Sequence, residues 1–233
     1  MKKKLITAAG LVTAMILLAG IWLVPRYQVP ILMYHSVAPA WFEPLNNVRP
    51  ENFVRQMNFI QQHGFHVITL EELVGRIRMG KGVDRKSVVL TFDDGYDNNF
   101  THVYPQLLAR QFPAAIFVEA ANVGNRGRLT WAQAREMSAH GITFGSHTLT
   151  GIYIPDVKPE EALFEIKESK RLIETRLGRP VLFFSYPIGG FNPAVKMGLK
   201  EAGYAAAVAT NRGKDHGGRD LYELKRIRVK DED

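Results

Sequence analysis

Short apolar runs alternate with longer amphipathic segments along the chain, and glycine, proline or a capping residue marks most of the junctions. Runs at residues 29–35, 66–69, 87–92, 114–118, 142–146, 181–186, 205–210 and 224–229 have the length and β-branched or aromatic content of buried strands. Residues 51–63 place Phe53, Met57 and Ile60 on one helical face. Thr69-Leu70-Glu71-Glu72 reads as a capping box for a helix ending near Gly80. A further helix follows the 87–92 run and reaches about Gln111. Thr130-Trp131-Ala132-Gln133 opens another, which stops at Gly141. Pro159 begins a long helix carrying Leu163, Ile166, Ile173 and Leu177 on one side, closed by Gly178. Asn192-Pro193 starts a last one running to Gly203. Strands separated by helices imply a parallel sheet. So many units in about 200 residues predict a distorted (β/α) barrel of about seven parallel strands. Residues 211–220, rich in glycine and charge, read as a mobile surface loop.

The first 26 residues are different in kind. Lys2, Lys3 and Lys4 precede twenty uncharged residues, 5–24, and Arg26 follows. Twenty apolar residues span a bilayer as a helix, and the lysines keep to the cytoplasmic side. The pattern predicts residues 1–28 as an N-terminal transmembrane helix or signal segment, with no Ala-x-Ala-like cleavage site before Pro25. Residues 29–233 then form one domain, membrane-anchored and outside the cytoplasm, or secreted if the segment is cleaved.

Charge and cysteine count narrow the chemistry. Of 30 basic residues, four flank the apolar stretch, leaving 26 scattered ones against 23 acidic. That balance gives no support to nucleic-acid binding. With no cysteine, thiol catalysis and thiolate metal sites are excluded, so a metal would be held by His, Asp or Glu.

The most informative run is Ser87-Val88-Val89-Leu90-Thr91-Phe92-Asp93-Asp94-Gly95-Tyr96, a buried strand ending in two adjacent carboxylates. Alone, Asp-Asp-Gly reads as a turn with an extra acid. In parallel barrels, however, residues past the carboxyl ends of strands build the active site. Four strand ends here carry unusual groups: His35, the pair Asp93 and Asp94, His147, and the turn Tyr186-Pro187-Ile188-Gly189. Two imidazoles and two carboxylates at one end of a barrel suit a divalent ion such as Zn²⁺.

These residues resemble a known family. Thr91-Phe92-Asp93-Asp94-Gly95-Tyr96, Ser146-His147-Thr148 and Ser185-Tyr186-Pro187-Ile188-Gly189 are similar to the signatures of the polysaccharide deacetylases, the NodB-homology group. The opening Pro30-Ile31-Leu32-Met33-Tyr34-His35 resembles the branch containing poly-N-acetylglucosamine deacetylases. The resemblance implies a metal-dependent hydrolase removing N-acetyl groups from an amino-sugar polysaccharide of the cell envelope, or an ester-linked acetyl. It implies Asp93 as general base, Asp94 and His147 as metal ligands, and His35 as general acid. The backbone of 186–189 near Ile188 would meet the oxyanion, and the metal would be Zn²⁺. On this reading, Asp93→Asn leaves folding and metal content intact while lowering turnover.

Two departures stand out. Where the family's pattern is His-x-x-x-His, Gly151 follows four residues after His147, so the third ligand is missing. Asp156 on the same loop, or water, could fill the place, and Gly151→His would be expected to tighten zinc binding. The alternative is a catalytically silent carbohydrate-binding relative without the metal. At Ser185 many relatives carry an arginine that orients the base. Arg226 could substitute, although a lone arginine on a strand ordinarily reads as a salt-bridge partner.

Overall fold

A computed structural model of the chain describes residues 27–39, 46–213, 215–216 and 221–233. Its elements run β1 (Tyr27–Gln28), β2 (Ile31–Tyr34), α1 (Pro50–Gln62), β3 (His66–Val67), α2 (Leu70–Arg78), β4 (Ser87–Phe92), α3 (Tyr104–Arg110) and β5 (Ala114–Val118). Then follow α4 (Trp131–Ala139), β6 (Ile142–Ser146), α5 (Pro159–Leu177), β7 (Phe183–Ser185), α6 (Pro193–Glu201), β8 (Ala206–Arg212), β9 (Asp215–His216) and β10 (Leu224–Arg228). β2 pairs with both β4 and β10, which closes the parallel ring β2, β4, β5, β6, β7, β8, β10. This is the seven-stranded barrel the sequence predicts. β3 pairs only with the start of β4.

Local chemistry explains where the helices begin. Thr130 and Gln133 form a reciprocal capping box at α4. At α2 only half of the predicted box is present, with the Thr69 hydroxyl accepting from the Glu72 N–H. Pro159 sits at the start of α5, and Gly178 ends it in the left-handed conformation.

Two faces of each strand divide the core. Leu90, Phe92, Ile116, Phe144, Phe184 and Ala207 pack beneath Phe53, Leu107, Met137, Ile166 and Leu199 of the surrounding helices. The alternate residues Ile31, Val89, Ala115, Phe117, Phe183, Ala206, Val208 and Leu224 fill the barrel. Leu70, Leu73, Val74 and Ile77 of α2 join that inner cluster, so this helix stoppers one end. Gly145 on β6 has no side chain because Phe117 occupies the bore. A Cβ there would stand 2.6 Å from its ring.

Two expectations change. Residues 211–212 and 215–216 are not loop, since β8 extends to Arg212 and β9 pairs antiparallel with β1. Tyr27–Gln28, assigned above to the leading segment, are the other half of that ribbon. The predicted transmembrane helix falls on residues 1–26, outside the described residues. Among the described residues no helix is long and apolar enough to cross a membrane.

Candidate active site

Period-two alternation carries the inner face of the barrel past its strand ends and delivers the site. Val89, Thr91 and Asp93 share that face, as do Ile31, Met33 and His35. Ser185 follows Phe183 inward on β7, Arg226 follows Leu224 on β10, and Glu119 follows Phe117 just past β5.

Asp93 is buried and held from several sides. Arg226 donates Nη1 to Oδ1 at 2.8 Å and Nη2 to Oδ2 at 2.6 Å, a fork-on-carboxylate pair. The Ser185 hydroxyl donates to Oδ2 at 3.3 Å, and the Asp93 N–H is fixed on the Tyr34 carbonyl at 2.9 Å. Arg226 is fully buried and its other donors are used too. Nε goes to the Ala209 carbonyl at 3.0 Å, Nη1 to Thr91 Oγ1 at 3.2 Å and Nη2 to Ser185 Oγ at 2.9 Å. Burial alone would raise the Asp93 pKa. The charges of Arg226, His147 and His35, with the Arg226 hydrogen bonds, reverse that and hold it well below the usual carboxylate range. Arg226, rather than residue 185, thus supplies the guanidinium that clamps Asp93, by a buried two-point ion pair.

Asp94 faces His147, with Oδ1 and Nε2 3.4 Å apart. His147 donates Nδ1–H to the Ser185 carbonyl at 2.8 Å, which directs Nε2 at the carboxylate. Burial disfavours the His147 imidazolium. The hydrogen bond and charge of Asp94, the charge of Asp93 and the Ser185 carbonyl outweigh it and raise the pKa. For Asp94, burial is likewise outweighed, chiefly by His147, and the pKa falls. His35 is lowered, mainly by burial, against the opposing pull of Asp93 and Asp94. Its Nδ1 is buried without a hydrogen-bond partner.

The backbone is bent where these groups emerge. Asp94, Thr148 and Ile188 all have positive φ (69°, 65° and 57°) although none is glycine. Such strain collects at functional sites. Gly95 continues the turn at φ 65°, where a Cβ would come 2.8 Å from Val118 Cγ1. The loop after His147 is tied down by buried Glu165 of α5, which accepts from the N–H groups of Leu149 and Thr150 at 2.8 and 3.0 Å.

The 186–189 turn is only partly available. Tyr186 is buried, its hydroxyl donating to the Tyr222 carbonyl at 2.9 Å, and Pro187 is buried as well. Gly189 spends its N–H on the Tyr186 carbonyl. Ile188 is 78% exposed and is the residue this turn presents to solvent. Asp156 is exposed in a short 3-10 turn and is not brought to Asp94 and His147. Gly151 has φ 82°, and a Cβ there would meet the Glu119 carboxylate at 2.6 Å, so Gly151→His is not a simple restoration. Sequence reading missed Glu119, although it occupies a strand end on the same inner face as Asp93.

A divalent ion fits Asp94 and His147. Two ligands each about 2.0–2.1 Å from a tetrahedral ion stand about 3.4 Å apart, which is their separation here. Among the described residues no third acidic or imidazole group converges on them.

The parallel barrel thus gathers at its strand ends an arginine-held carboxylate, a carboxylate–imidazole pair and a second histidine. Residues 80–207 match the polysaccharide deacetylase family. YxkH of Bacillus subtilis (strain 168), named among the polysaccharide deacetylases, is 30% identical over 204 residues, 87% of this chain and 71% of that one. The structure of the Streptococcus pyogenes deacetylase PplD in complex with acetate superposes with a TM-score of 0.84 at 26% identity, covering 89% of this chain and 94% of that one. The poly-β-1,6-N-acetyl-D-glucosamine N-deacetylase of Escherichia coli (strain K12) is 42% identical over 53 residues, 23% of this chain and 8% of that one. The chain belongs to the polysaccharide deacetylase family, and so to the hydrolases of carbon–nitrogen bonds other than peptide bonds.

Proposed function

We propose that the protein removes N-acetyl groups from an amino-sugar polysaccharide of the poly-N-acetylglucosamine type, using a divalent ion held by Asp94 and His147. The observation that carries this reading is the separation of labour between two adjacent carboxylates. Arg226 claims Asp93, while Asp94 turns to His147. Bound there, a divalent ion would polarise the acetyl carbonyl and make water more acidic.

Asp93, kept ionised by Arg226, takes the proton from the attacking water. Its low pKa makes it a weak base, so the work rests on position, with Arg226 and Ser185 donating to its carboxylate oxygens and the Tyr34 carbonyl accepting from its backbone N–H. His35, once charged by the proton that Asp93 takes from water, would hand it to the departing amine, which leaves poorly unless protonated. The backbone N–H of Ile188 would donate to the oxyanion. Residues 2–4 and the apolar stretch after them support membrane attachment, with the barrel outside the cytoplasm.

The test is acetate release from β-1,6-linked N-acetylglucosamine oligomers by the native protein, the chelator-treated protein and the protein resupplied with zinc. Release that chelation abolishes and zinc restores is the expected result. No release from any of the three, with no zinc bound, would leave the silent carbohydrate-binding reading.

A further inference from the structure

The space into which a side chain at 151 would start is occupied by a residue just past the end of β5. A Cβ built on Gly151 would stand 2.6 Å from Oε1 and 2.7 Å from Cδ of Glu119. Glu119 reaches this point because it continues the inward alternation of Ala115 and Phe117. Its two oxygens are unlike. Oε2 accepts from Asn122 Nδ2 at 2.6 Å and pairs with Arg128 Nη2 at 3.1 Å, whereas Oε1 is turned to Gly151. Arg128 also donates Nη1 to the backbone carbonyl of Asp94 at 2.6 Å and lies over the Tyr96 ring, 4.7 Å from its centroid. One guanidinium thus connects Glu119 to the residue after the base.

We infer that Glu119 is the third side-chain ligand of a divalent ion held by Asp94 and His147, taking the place of the second histidine. The assignment rests on the reading of Asp94 and His147 given above. As the side chains stand, Glu119 leans on Arg128 and Asn122 rather than on the Asp94–His147 pair. A glutamate has the rotatable bonds to leave that support, and glycine at 151 is what keeps the space open. Gly151 and Glu119 are a matched pair. A side chain at 151 would need both the left-handed φ of 82° and the volume the carboxylate fills. The resulting set of two carboxylates and one imidazole remains within what a catalytic zinc site uses, three protein ligands with a position left open.

Zinc affinity of the full-length protein, measured by competition with a chromophoric chelator, tests this without reference to turnover. Glu119→Gln should bind zinc at least roughly tenfold more weakly than wild type, as a lost ligand requires. Glu119→Asp keeps the charge and the Arg128 partner but shortens the reach, so it should also weaken binding. Asp156→Ala should bind as wild type does. Wild-type affinity in Glu119→Gln, or in Glu119→Asp if the glutamine variant fails to fold, overturns the assignment and leaves the Asp94–His147 reading standing. Loss of zinc in Asp156→Ala, with Glu119→Gln unaffected, moves the ligand to that loop. A wild-type protein that binds no zinc overturns both readings.

Discussion

Arg226 and Asp93 form a fully buried ion pair at the centre of the site. A buried carboxylate and a buried guanidinium are each costly, and removing one partner strands the other, at about 3–5 kcal/mol. Asp93→Asn is therefore not the silent probe of the base that the motif suggests, because the amide leaves Arg226 without a counter-charge. It should lose stability as well as turnover, visible as a lower denaturant midpoint. Arg226→Lys separates the two effects. Charge stays, the two-point clamp on Asp93 goes, and turnover should fall by roughly tenfold or more while zinc affinity holds. Unchanged turnover in a folded Arg226→Lys protein would show that the clamp does not position the base. For His35 the discriminating variable is the leaving group. An amine needs a proton to depart and an activated aryl ester does not. His35→Asn should cripple acetate release from N-acetylglucosamine oligomers and spare hydrolysis of 4-nitrophenyl acetate. Equal losses on both substrates would make His35 a binding residue and not the acid.

At the level of elements, the strands were legible and the geometry at their ends was not. β5 and β6 fall on the residues the apolar runs predict, because a continuous apolar run between turn residues has few other ways to be buried. β4 announces its own functional end, since Asp93 and Asp94 interrupt that run with charge. Arg226 and Glu119 were harder to read for one shared reason. Each matters only through a neighbour brought by a different strand, Asp93 from β4 in one case and Gly151 from the loop after β6 in the other. No spacing along one segment encodes such a meeting. The inner-face alternation does encode half of it. Counting by twos from Ala115 through Phe117 arrives at Glu119, as counting from Val89 through Thr91 arrives at Asp93. Tyr186 shows the opposite failure, because a motif residue beside the turn proposed to meet the oxyanion has its side chain committed to the core.

Over the whole molecule, the barrel closes through its two ends, β2 near the start pairing with β10 near the finish. Asp231, just past β10, carries this closure on to the helix layer. It accepts from the Arg49 N–H at 2.7 Å, pairs with Arg49 Nε at 2.7 Å and accepts from Asn52 Nδ2 at 2.7 Å, across 182 and 179 residues of chain. These contacts hold the entrance of α1 against the tail. Burial is the largest single influence on the Asp231 carboxylate and opposes its charge, but the Arg49 N–H, the Asn52 amide and the Arg49 guanidinium together outweigh it and lower the pKa. A depressed folded-state pKa means the stabilisation is complete above the ordinary carboxylate value, about 3.9. It is lost as pH falls from there through the lower folded value. Because the clip is partly exposed, it contributes about 1 kcal/mol. Asp231→Ala should therefore lower the urea midpoint at pH 7, and the gap to wild type should narrow as pH drops below about 4. A gap that stays constant through that range would mean that Asp231 acts by packing alone, and that the closure of the barrel owes nothing to its charge.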